Sequence, residues 1–168
     1  MALRNIVTKE DKILYKVCKP VTKFGPRLHE LLDDMAETLL EANGVGLAAP
    51  QVGIIRRAVL VIETNVEEGD DEFIIELINP EILESSGEQI GAEGCLSVPG
   101  EYGVVRRPDH VVVKAQDRNG DWFEYEGEGL TARCICHELE HLDGHLFLER
   151  CERMLTDEEI NGTADAED

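Results

Sequence analysis

The segment "CICHELEHLDGH", residues 134–145, restricts the fold more than any other part of the chain, because it contains the pattern His-Glu-x-x-His. On a helix, His137 and His141 stand one turn apart, about 6 Å along the axis, so both imidazoles can point at one ion. Glu138 then lies beside that ion, where a carboxylate can take a proton from water whose pKa the metal lowers towards ~7. Two histidines leave such a site short of protein ligands. The fold must therefore bring a further ligand to this helix from elsewhere, unless the helix is merely amphipathic with incidental surface histidines.

Peptidases with this pattern take the third ligand downstream, as a His in an extended motif or a Glu on a later helix. Little chain remains here: His145 falls where a continuing helix turns it away from the pair, and Glu158 and Glu159 sit in a polar, frayed tail. Upstream, "GAEGCLSVPG" sets Cys95 between glycines and a Leu-Ser-Val-Pro turn, with the thiol free to project. One Cys with two His leaves a fourth position open, which is a catalytic arrangement and not a closed structural one. A lone cysteine is more often a buried small hydrophobe, and Cys18 and Cys151 are read that way. A structural zinc site built from Cys134, Cys136 and the histidines has poor spacing, since Cys-x-Cys is not the Cys-x-x-Cys knuckle.

The 168 residues suit one domain with its own core. Sixteen basic against thirty-six acidic residues give a formal charge of −20, which disfavours nucleic acid and anionic membranes. The charged N-terminus lacks a signal-type apolar core, no run is long enough to span a bilayer, and an odd, scattered set of five cysteines suits a reducing cytosol. Leu28, Leu31, Leu32, Met35, Ala36, Leu39 and Leu40 fall at helical spacing, with Asn43-Gly44 as the stop. "GVGLAAPQVG" reads as a close-packed loop, and "RRAVLVIE", "FIIELINPEIL" and "VVRRP" read as strands. "HVVVKAQD" and "DWFEYEG" form a hairpin across Asn119-Gly120. Helical spacing returns from Leu130 to His141, and Thr156 is a cap for a helical turn before a disordered acidic end.

Three stretches, "GVGLAAPQ", "EGCLS" and "HELEH", occur in this order and resemble the signature motifs of the peptide deformylases. The resemblance spans essentially the whole chain and is nearest to the shorter bacterial type. It implies an α+β fold: mixed and antiparallel sheets packed around the metal-binding helix, with the amphipathic helix N-terminal. It also implies one catalytic domain over residues 1–155, followed by an acidic tail over 156–168. The implied activity is metal-dependent hydrolysis of the N-formyl group from N-terminal formylmethionine, releasing formate. The implied ligands are Cys95, His137 and His141, with Glu138 as general base and acid. The Gln51 amide and the Leu96 N–H would hold the oxyanion, and Val45, Gly46, Glu93, Gly94, Arg133 and Cys134, with His137, would line the methionine pocket. The family typically works with Fe(II), though the same ligands accept zinc, nickel or cobalt.

Two positions depart from the family's usual Gln-His-Glu-x-Asp-His: Cys136 precedes the first histidine and Glu140 replaces the aspartate. Glu140 is one methylene longer, so a contact with Arg107 or another arginine needs a shifted geometry. The expected partners are N-formylmethionyl nascent chains in the cytoplasm. The short acidic tail argues against contact with ribosomal RNA and leaves ribosome association open. A monomer or weak dimer is expected. The alternatives are a zinc endopeptidase with a downstream ligand and a noncatalytic metal-binding protein.

Overall fold

The computed structural model describes residues 2–161. Helix α1 (Pro26–Glu41) forms where the apolar spacing places it, with Pro26 in its first turn. Leu28, Leu31, Leu32, Met35 and Leu39 are buried, whereas Leu40 is exposed. The stop falls as expected, Asn43 taking the left-handed conformation at φ 56°.

The segment expected to be a loop is instead regular. Gly46–Ala48 forms β1 and pairs antiparallel with β2 (Ala58–Glu63), followed by a 3-10 turn over Ala49–Val52. All three β1 residues are buried, so the small side chains serve close packing. β3 (Phe73–Ser86) runs past Pro80 because a register shift between Ile78 and Glu81 removes that position from the regular ladder. β4 (Gln89–Cys95) and β5 (Val98–Arg107) form a hairpin, so the region around Cys95 has more strand than its turn-forming composition indicates. β6 (His110–Gln116) and β7 (Trp122–Glu128) form the expected hairpin, with Gly120 at φ 88° and the Asp117 carboxylate accepting from the backbone N–H groups of Asn119 and Asp121.

The larger sheet runs β1-β2-β3-β6-β7, and β8 (Arg153–Met154) joins the smaller one in the order β4-β5-β8. Every named strand pair is antiparallel, and the parallel component reduces to a single bridge between Lys19 and Arg56. The class is thus α+β with antiparallel sheets. Among them lies α2 (Leu130–Leu142), packed on β1, β2 and β7, with Ile135, Leu139 and Leu142 against Val59, Val61, Leu77, Val111 and Val113. Eleven of its thirteen residues are buried, which removes the reading of a surface helix with incidental histidines.

α2 stops earlier than a continuing helix would. Gly144 takes φ 81°, and a Cβ there would lie 2.6 Å from the Tyr15 carbonyl oxygen, so glycine is required at this turn. The chain then leads His145 outward to pair with Glu149 at 3.1 Å. Cys18 is buried as expected, but Cys151 is only half-buried and donates to the Arg153 carbonyl at 2.9 Å. Residues 157–161 are helical, with the Thr156 hydroxyl accepting from the Glu159 N–H at 3.2 Å. The expected disorder beyond residue 161 lies outside the described residues. No helix among the described residues is long and apolar enough to cross a membrane.

Candidate metal centre

Cys95 ends β4, and the chain turns through Leu96 and Ser97 before Val98 pairs back on Cys95. The thiol sulfur lies 3.4 Å from His141 Nε2. One ligand atom from each of Cys95, His137 and His141 lies within 4.8 Å of the others. His145, the nearest downstream histidine, is outside this group, so among the described residues no ligand from after the motif joins it, as the endopeptidase arrangement would require.

His137 is oriented by an ion cluster. Its Nδ1 lies 2.5 Å from Glu93 Oε1. A carboxylate only accepts, so Nδ1 carries the hydrogen and Nε2 presents its lone pair. Glu93 also accepts from Arg107 Nη2 at 2.6 Å and from Arg133 Nη1 at 2.8 Å, all three residues being buried. Burial alone would raise the Glu93 carboxyl, but hydrogen bonds from His137 and Arg107, together with their charges, hold it down at about 2. His137 also stacks on Phe147, ring centres 5.9 Å apart.

Glu138 is buried, and its Oε1 has no hydrogen-bond partner among the described residues. Burial pushes this carboxyl up to about 7, against the pull of His137. A thiol and two imidazoles converging beside a buried, unpartnered carboxylate oxygen fit a divalent cation with an open position. The Gln51 side chain is held from both ends: Oε1 accepts from the Ala48 N–H at 2.9 Å, and Nε2 lies 3.0 Å from Ser97 Oγ and 3.5 Å from Cys95 Sγ. It therefore points an N–H group at the ligand cluster, beside the Leu96 turn.

Gln51, Cys95, His137 and Glu138 open into a cleft of about 680 Å³ whose lining also includes Val45, Gly46, Glu93, Gly94, Leu96, Arg133 and Cys134, with His141 buried behind them. The charged ends of Glu93 and Arg133 are bound to each other, so they wall the cleft without a free charge. Burial raises the Cys134 thiol, which keeps it neutral. Gly46 faces the Glu138 carboxylate: a Cβ there would lie 2.5 Å from Glu138 Oε2. Gly46→Ala is therefore expected to displace the carboxylate and lower kcat about a hundredfold with metal content unchanged. Elemental analysis with steady-state kinetics checks this, and an unimpaired kcat contradicts it.

Sequence reasoning missed Ser97 as the partner of Gln51 and the role of Glu93 in orienting His137, having read Glu93 only as pocket wall. Glu93 stands 44 residues from His137 and 40 from Arg133, so no local spacing signals either contact. The anticipated contact of Glu140 with Arg107 is formed.

A model of the polypeptide deformylase family matches residues 3–156. The chain is 55% identical to a peptide deformylase of Caldicellulosiruptor bescii over 95% of its own length and 92% of the relative's. It is 49% identical to peptide deformylase 1 of Bacillus subtilis, over 95% and 97% of the two chains. Among solved structures it is similar to a peptide deformylase from Legionella pneumophila, with a TM-score of 0.81 and 38% identity over 98% of this chain and 97% of that one.

Proposed function

The chain belongs to the polypeptide deformylase family, and on that premise we propose how it removes the N-formyl group from newly made peptides: Cys95, His137 and His141 hold one divalent ion, and Glu138 moves the protons. The observation that carries this assignment is the convergence of the three ligand atoms beside the unpartnered Glu138 oxygen. When bound, the ion supplies Lewis acidity to the reacting centre.

Glu138 takes the proton of the attacking water, and a carboxyl raised by burial is suited to hold it. As the carbonyl carbon becomes tetrahedral, Gln51 Nε2 and the Leu96 N–H donate to the formyl oxygen, where charge develops only in that step. Glu138 then gives its proton to the leaving nitrogen, and formate and a free amine result. Glu93 keeps His137 in the tautomer that presents Nε2. The methionine side chain lies along Val45, Gly46, Gly94 and Cys134, with Glu93 and Arg133 behind, because an unbranched thioether fills an apolar slot.

Fe(II) is the proposed ion, and residues 1–155 form the proposed catalytic domain, acting in the cytoplasm where nascent chains are made. Every group in this scheme comes from one chain, so a monomer or weak dimer suffices. The expected result for anaerobically purified protein is about one iron per chain and formate release from formyl-Met-Ala-Ser, with an unformylated longer peptide left intact. No formate from the iron- or nickel-loaded protein refutes the assignment, and new internal cleavage of the longer peptide supports an endopeptidase instead.

A further inference from the structure

Glu140 lies on the wall of a second cavity, about 450 Å³, that is also lined by Arg107, Cys136, Leu139 and Arg150. Its carboxylate is divided between two guanidinium groups. Oε1 accepts from Arg107 Nη1, and Oε2 accepts from Arg150 Nε at 2.6 Å. Arg107 is almost fully buried and places its other nitrogens on Glu93, Nε at 3.1 Å and Nη2 at 2.6 Å. Glu93 in turn holds His137 Nδ1. A continuous line of charge-assisted hydrogen bonds thus runs from Arg150 at the surface to a histidine of the proposed ligand set.

The same short segment reaches that histidine by a second route. Phe147, three residues before Arg150, stacks on the His137 ring. While Arg150 occupies Oε2, only Oε1 of Glu140 is offered to Arg107, and the fixed fork of the Arg107 guanidinium keeps Nε and Nη2 on Glu93. Without Arg150, both Glu140 oxygens compete for Arg107, and the hold of Glu93 on the imidazole loosens.

We propose that Arg150 is a positioning residue for His137, acting through Glu140, Arg107 and Glu93 to slow loss of the metal ion. The proposal rests on the ligand set assigned above. Arg150 is 56% exposed, so its influence is modest and screened by salt.

The test follows release of zinc from the zinc-loaded full chain to an excess of chromogenic chelator. Arg150→Met is expected to release zinc about threefold faster than the unmodified chain at low salt and at an equal rate in about 1 M salt. Arg150→Lys should recover most of the difference, and Arg150→Met should add nothing in a Glu140→Gln background. The metal-free Arg150→Met protein should unfold at the same temperature as the unmodified chain. An unchanged release rate, an undiminished effect alongside Glu140→Gln, or a lowered metal-free melting temperature each overturns the proposal. Cys95→Ala separates the two levels. If it keeps zinc as tightly as the unmodified chain, the ligand set is wrong; if it loses zinc while Arg150→Met behaves normally, only the outer line of pairs is wrong.

Discussion

Glu138→Gln is expected to keep its full metal content and lose about a thousandfold in kcat. Glutamine has the same shape as glutamate but cannot take a proton from water at neutral pH. The proposed ligand set does not include Glu138, so the substitution leaves the three converging ligand atoms in place. Stability should not suffer, because Glu138 is buried and removing an ionisable group from that environment relieves a desolvation cost. KM for a formylated peptide should change little, since the lost interaction belongs to the transition state. A kcat within tenfold of the unmodified enzyme would show that another group moves the proton. Loss of the ion would show that Glu138 belongs among the ligands.

The elements read from sequence were those whose cause is local. α1 shows its period of 3.6 in leucines and methionine, the β6–β7 hairpin shows two β-branched or aromatic runs across Asn-Gly, and α2 shows helical spacing around the histidines. β1 and β4 escaped because glycine and alanine have low strand propensity, and at Gly46 the reason for glycine is the neighbouring Glu138 carboxylate, a tertiary fact. The proposed ligands could be picked out for a comparable reason. Two lie in one helical motif, and the third was marked by turn-forming neighbours around an otherwise isolated thiol. The cluster that orients His137 was not accessible, because Glu93, Arg107, Arg133 and His137 meet only once β4 and β5 are laid against α2. Glu140 falls between these cases. Its extra methylene signalled a changed contact, but the second arginine at 2.6 Å depends on where the chain goes after Gly144.

Glu93→Ala is expected to be the most damaging single change to the fold among the site residues. It leaves the Arg133 guanidinium, the Arg107 guanidinium and the His137 Nδ1–H without their shared acceptor in a region where all three are buried. Removing one partner of a buried ion cluster costs about 3–5 kcal/mol, because the desolvated charges stay behind. For a domain of this size each kcal/mol moves the melting temperature by roughly 2–4 °C, so the metal-free protein should melt about 10 °C lower. Metal affinity should fall about ten- to a hundredfold in addition, since His137 loses the group that fixes its tautomer and ring orientation. Glu93→Gln should lie between, its amide oxygen still accepting hydrogen bonds but no longer offsetting the arginines. The two readouts divide the role of Glu93 in a useful way. A large fall in melting temperature with unchanged metal affinity would assign the carboxylate to the arginines alone. The reverse pattern would make it chiefly a holder of the imidazole, with the buried arginines satisfied by Glu140, Gln89 and the Val105 carbonyl.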